Sequence, residues 1–68
     1  MIDTKKLLGI IYERGLSQRK VAQTLGITEK TFYAKMKKGV FDSDEIQQMI
    51  DVLTIENPVE VFFAKFGA

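Results

Sequence analysis

The chain contains no cysteine and no histidine, one proline, and no long apolar run. Without cysteine there are no disulfides. Without cysteine and histidine together, the usual zinc donors are missing as well, so no metal site is expected. The same absences, with no glycine-rich phosphate loop, leave nothing from which to assemble a general base or a nucleophile. The sequence therefore predicts neither an enzyme nor a bound cofactor. The amino end carries lysines but no apolar stretch of the length a signal peptide or membrane span requires, which predicts a cytoplasmic protein without a membrane partner.

What is present is a short, moderately apolar chain of 68 residues, 46% of them hydrophobic. A chain of this size buries only ~60% of the surface it exposes when unfolded, so its core is small but workable, and one domain over residues 1–68 is expected. The net charge is only +1, but it is unevenly spread. Residues 1–40 hold Lys5, Lys6, Arg14, Arg19, Lys20, Lys30, Lys35, Lys37 and Lys38 against Asp3, Glu13 and Glu29, a net of +6. Residues 41–68 hold Lys65 against Asp42, Asp44, Glu45, Asp51, Glu56 and Glu60, a net of −5. Such asymmetry fits a basic face directed at a polyanion.

Start and stop signals divide the chain into five helices. The first is predicted from Asp3, its cap, to Arg14, with Leu7, Leu8 and Ile11 on one face, Ile10 widening it, and Gly15 ending it. The second runs from Gln18 to about Leu25 with Val21, Ala22 and Leu25 inward. The third runs from Glu29 to about Lys37 with Phe32 and Met36 inward, closed by Gly39. For the fourth, Asp42 and Glu45 form a capping box with Phe41 and Ile46 as staple, or Ser43 is the cap. Its core stripe is Ile46, Met49, Ile50 and Leu53, with Val52 added. The fifth is predicted from Pro58 to Lys65, capped by Asn57 with Glu60 completing a second box. Its Val59-Glu60-Val61-Phe62-Phe63 run also has strand character, but the cap signal favours the helix.

The stretch from Ser17 to Lys38 organises the rest. Ser17 and Thr28 can each accept a hydrogen bond from an otherwise orphaned first-turn N–H. Each is preceded by an apolar residue with another at N4: Leu16 with Val21, and Ile27 with Phe32. Two hydrophobic staples in so short a stretch fix how the chain enters both helices, and so the angle between them. Gly26 suits the left-handed residue that a tight turn after Leu25 needs, and Ala22 is small enough for the two helices to cross closely.

On Gln18, Val21-Ala22, Leu25, Gly26, Ile27 and Phe32 this stretch resembles the helix-turn-helix of the phage Cro and cI repressor-like DNA-binding proteins. The likeness is specific from about Leu16 to Gly39 and looser from Asp3 to Phe63. It departs at Lys35, where the family pattern has an apolar residue; the apolar Met36 follows one position later. The resemblance implies an all-α, compact five-helix domain of lambda-repressor-like type, with helices two and three forming the DNA-binding unit. It also implies a small Cro-like repressor that binds operator DNA as a homodimer, in solution or only on DNA, and blocks polymerase in a bacterial host cell.

Carried over, the positions facing base edges are Thr28, Glu29, Lys30, Tyr33 and Ala34, and those facing phosphates are Gln18, Arg19, Lys35, Lys37 and Lys38. Arg14 and Lys20 are weaker phosphate candidates. Each has a plainer role. Thr28 is needed as a cap in any case. Glu29 either accepts from a cytosine amino group or sits at the positive helix end for its own sake. Lys30 reaches guanine O6 and N7 or a phosphate. Tyr33 packs on a thymine methyl, bonds a phosphate, or lies on the domain's own surface. Ala34 touches a thymine methyl or simply favours helix. The apolar tail offers Phe62, Phe63 and Phe66 as dimer-interface candidates. The rival expectations are a helical protein-interaction module, using the acidic half or the phenylalanine-rich end, and an antitoxin-type regulator built on the same unit.

Overall fold

The computed structural model describes residues 2–64. Five helices follow one another: α1 Thr4–Glu13, α2 Gln18–Leu25, α3 Glu29–Lys38, α4 Ser43–Leu53 and α5 Pro58–Phe62. Among the described residues there is no strand, so the protein is all-α, and no helix is long and apolar enough to cross a membrane.

Helix starts follow local side chains. Asp3, Ser17 and Thr28 each accept the backbone N–H three residues on, all at 3.1 Å, from Lys6, Lys20 and Thr31. At α4 the Glu45 carboxylate accepts the Asp42 N–H at 2.8 Å, completing a capping box. Helix α5 departs from this pattern. Asn57, at φ −130° and ψ 69°, makes no side-chain cap bond. Its carbonyl takes the Glu60 N–H at 3.2 Å, while the Glu60 carboxylate lies 3.8 Å from Lys6.

Helix α5 also ends earlier than its sequence predicts, at Phe62; Lys65, the expected end, lies outside the described residues. The Val61 carbonyl, which a longer helix would offer to its own fourth neighbour, accepts the Asp3 N–H at 2.7 Å. That bond ties the start of the chain to its last helix.

Four helix ends close alike. After α1, α2, α3 and α4 a left-handed residue (Gly15, Gly26, Gly39, Thr54) turns the chain. The next N–H then reaches back five residues: Leu16 to Ile11, Ile27 to Ala22, Val40 to Lys35 and Ile55 to Ile50, at 3.0–3.2 Å. These bonds satisfy carbonyls that a helix end leaves orphaned. Thr54 is the one non-glycine at positive φ among the described residues, at 50°.

The core gathers one face from each helix. Leu7 and Ile11 come from α1, Val21 and Ala22 from α2, Phe32 from α3, Met49 and Leu53 from α4, and Val61 and Phe62 from α5, all essentially buried. Phe41 leans on Phe32 with ring centroids 5.5 Å apart at a tilt of 54°. Full burial of a side chain like Phe32 stabilises by about 1.5–3 kcal/mol. Ile10, Leu25, Met36, Ile46 and Ile50 are half-buried and pack at its margin, while Leu8, expected on the inward face of α1, is half-buried away from it. Val52, expected to extend the α4 stripe, is exposed instead, since it falls between the positions that face inward.

Candidate nucleic-acid interface

Helices α2 and α3 pack on each other, and α2 also packs on α4. The turn between them is fixed by Gly26 in the left-handed region (φ 75°, ψ 24°). Its N–H bonds the Gln23 carbonyl at 3.1 Å, and the Ile27 N–H bonds that of Ala22 at 3.1 Å. Ala22, on α2, is buried. With Phe32 buried and Met36 half-buried, the opposite side of α3 is set.

That outer side carries most of the residues the sequence singles out. Thr28, Lys30, Thr31, Tyr33, Ala34, Lys37 and Lys38 are exposed, and Glu29 is half-buried. On the neighbouring α2 start, Gln18 is half-buried and Arg19 exposed. Thr28 does more than cap, since its hydroxyl also donates to the Thr31 hydroxyl at 2.9 Å. Tyr33 donates its hydroxyl to Glu29 Oε2 at 2.6 Å. This bond, with a small contribution from burial and the nearby charge, holds the phenol above its ordinary value, so Tyr33 is a neutral donor at neutral pH. Among the described residues Lys5, Arg19, Lys20, Lys30, Lys37 and Lys38 make no ion pair within 4.0 Å. Lys5, Lys37 and Lys38 line one shallow groove of about 350 Å³ between the start of α1 and the end of α3.

Three sequence-based assignments are corrected. Lys35 does not face outward as a phosphate ligand. Its ammonium sits 2.8 and 2.9 Å from the two Glu45 carboxylate oxygens and 3.6 Å from Asp42, bridging α3 to the start of α4. Glu45 is only 7% exposed. Burial pushes its carboxyl upward, but the Lys35 ammonium and the Asp42 N–H outweigh that and hold it below the usual carboxylate range. Hydrogen bonding to Glu45 raises the Lys35 ammonium in turn, against a smaller opposing effect of desolvation. Arg14 is likewise engaged. It donates to the Leu53 carbonyl at 2.7 Å and to that of Thr54 at 3.2 Å, closing the end of α4. Phe62 is buried in the core and offers nothing to a second copy. Phe63 is exposed beside Val59, and Phe66 lies outside the described residues.

Sequence reasoning missed the Lys35–Glu45 pair and Thr31. The signal for the first is Lys35 itself, a charge where the helical pattern calls for an apolar residue; its partner, ten residues on in another helix, is a capping residue by its local signal alone. Comparison of the chain with protein-family models, with curated proteins and with solved structures finds no match.

Proposed function

We propose that this protein binds double-stranded DNA sequence-specifically as a Cro-like transcriptional repressor, with a lambda-repressor-like arrangement that lays α3 in the major groove. The observation that carries the reading is the outer side of α3. A capped helix presents Thr28, Lys30, Thr31, Tyr33, Ala34 and Lys37 to solvent, flanked by cations that make no ion pair among the described residues. A helix of that kind matches the width of the major groove, where each base pair shows a distinct donor and acceptor pattern. Lys37, Lys38, Arg19 and Lys20 would meet phosphates, which supply affinity and fix register without specifying sequence. Regulation would follow from occupancy, a homodimer on a pseudo-palindromic operator denying polymerase an overlapping promoter.

Val59 and Phe63, 64% and 61% exposed, favour a second reading in which the α5 end binds a protein partner. Selection of bound sequences from a random duplex pool at moderate salt separates the two. The repressor reading expects an enriched palindrome with half-site centres about one helical turn apart. Salt-sensitive binding with no enriched sequence would refute it and leave the interaction module.

A further inference from the structure

The 2.6 Å bond from the Tyr33 hydroxyl to Glu29 Oε2 ties the exposed Tyr33 to the half-buried Glu29, one turn back, along one flank of the first turns of α3. Resting on the DNA-binding reading, we infer that Tyr33 is a positioning residue and that Glu29, held by it, reads a cytosine.

The argument starts from the carboxylate. A glutamate at the first position of a helix is free to swing, and an unrestrained carboxylate near DNA is repelled by phosphates. The tyrosine hydroxyl takes one oxygen and fixes its direction. Among the described residues Glu29 Oε1 accepts no hydrogen bond, so it remains as a bare acceptor. In the major groove such an acceptor needs a donor on the base edge. Guanine shows acceptors at N7 and O6, and thymine an acceptor at O4, so both repel it. Adenine has the N6 amino group, but its N7 acceptor lies alongside. Cytosine presents its N4 amino group with no competing acceptor on its own edge, and a carboxylate pairs with it best. Lys30, next to Glu29 and exposed, lies close enough along the helix to meet the guanine of the same or the adjacent pair.

The role of Tyr33 is therefore indirect: it contributes orientation to Glu29 rather than a base contact of its own. Tyr33 is exposed and Glu29 half-buried, and neither belongs to the core, so both are separable from folding.

Selection from a random duplex pool is repeated with the full chain and with Tyr33→Phe, Glu29→Gln and Glu29→Ala, each variant first shown by circular dichroism to keep its helicity. The wild type is expected to enrich a cytosine at one position of each half-site, on the order of 10-fold over the other bases. Tyr33→Phe, which removes only the hydroxyl, is expected to lower that one preference several-fold and leave the rest of the motif unchanged. Glu29→Ala should erase it. Glu29→Gln should shift it to adenine, because an amide both donates and accepts and so matches adenine N7 and N6. An enriched motif whose positions are all indifferent to Tyr33→Phe, or whose cytosine survives Glu29→Ala, overturns the inference while DNA binding stands. Absence of any enriched motif with the wild type overturns both.

Discussion

The turn that joins α2 to α3 and the turn that ends α4 use the same left-handed backbone with opposite residue choices, and this gives a two-sided test of what holds the domain together. Gly26 sits at φ 75° and Thr54 at φ 50°. At Gly26 a Cβ would meet nothing within 4 Å, so Gly26→Ala changes no packing. It incurs the left-handed cost of an L-residue, about 1–2 kcal/mol, and recovers about 0.4–1 kcal/mol because the unfolded chain is less free. The expected net loss is about 1 kcal/mol. Thr54→Gly runs the same cycle in reverse. A β-branched residue in this region is a genuine outlier, so its relief falls at the upper end, for a net gain of about 1 kcal/mol. The bonds around Thr54 survive the change, because Arg14 reaches its carbonyl and the following Ile55 N–H bonds Ile50.

For a domain of this size about 1 kcal/mol moves Tm by roughly 4–8 °C. Thermal unfolding followed by far-UV circular dichroism is expected to show Gly26→Ala melting lower by that amount and Thr54→Gly melting higher. The two turns share no hydrogen-bond partner, so the double variant should melt near the wild type. A lower Tm for Thr54→Gly would refute the reasoning, as would an unchanged Tm for Gly26→Ala, because each isolates the left-handed term.

Other perturbations separate stability from binding. Arg14→Ala removes two bonds to the end of α4 and is expected to cost about 1 kcal/mol in urea unfolding while leaving the salt dependence of the proposed DNA binding unchanged. Lys37→Ala and Lys38→Ala should do the reverse, each lowering the slope of log affinity against log salt by about one with no change in Tm. Phe32→Ala empties the centre of the core and is expected to cost about 3–5 kcal/mol, a large share of what so small a domain has, so it should lack a cooperative melt at 25 °C. The Glu45 carboxyl is depressed in the folded state, so its contribution is full above its unfolded value near 4.5 and lost as pH falls through the folded one. The raised Lys35 ammonium contributes below its ordinary 10.5 and loses that contribution as pH climbs past its folded value. Urea midpoints against pH are expected to fall below about pH 4.5, and Glu45→Gln to flatten that acid limb.

What the sequence made legible was local. Ser17, Thr28 and Asp42 cap their helices because the donor or acceptor each needs lies within three residues, and Gly26 turns the chain because only the residue itself decides whether φ can be positive. The outward residues of α3 followed from one inward anchor, Phe32, and the helical period. The illegible parts depend on partners far along the chain. Arg14 meets carbonyls 39 and 40 residues away. The Val61 carbonyl near the end of α5 is taken by the Asp3 N–H, from the opposite end of the sequence. Phe62 and Phe63 look equivalent in a two-turn apolar run, and only the placement of α5 against α1 sends the first inward and the second to solvent.

Lys35 shows why such a distant partner matters to the candidate site. An apolar residue there would anchor α3 by packing, which resists separation but tolerates small rotations, because dispersion has little direction. The ammonium instead meets both oxygens of one carboxylate, and Oε1 of that carboxylate is also held by the Asp42 N–H. Such bonds are directional and short, and removing one partner leaves a nearly buried charge uncompensated. At about 100° per residue, with Phe32 and Met36 inward and Lys35 held on the flank toward α4, the remaining side of α3 falls to Lys30, Tyr33, Ala34 and Lys37. A departure from an apolar pattern therefore fixes the helix about its own axis, and with it the set of side chains on its outer side.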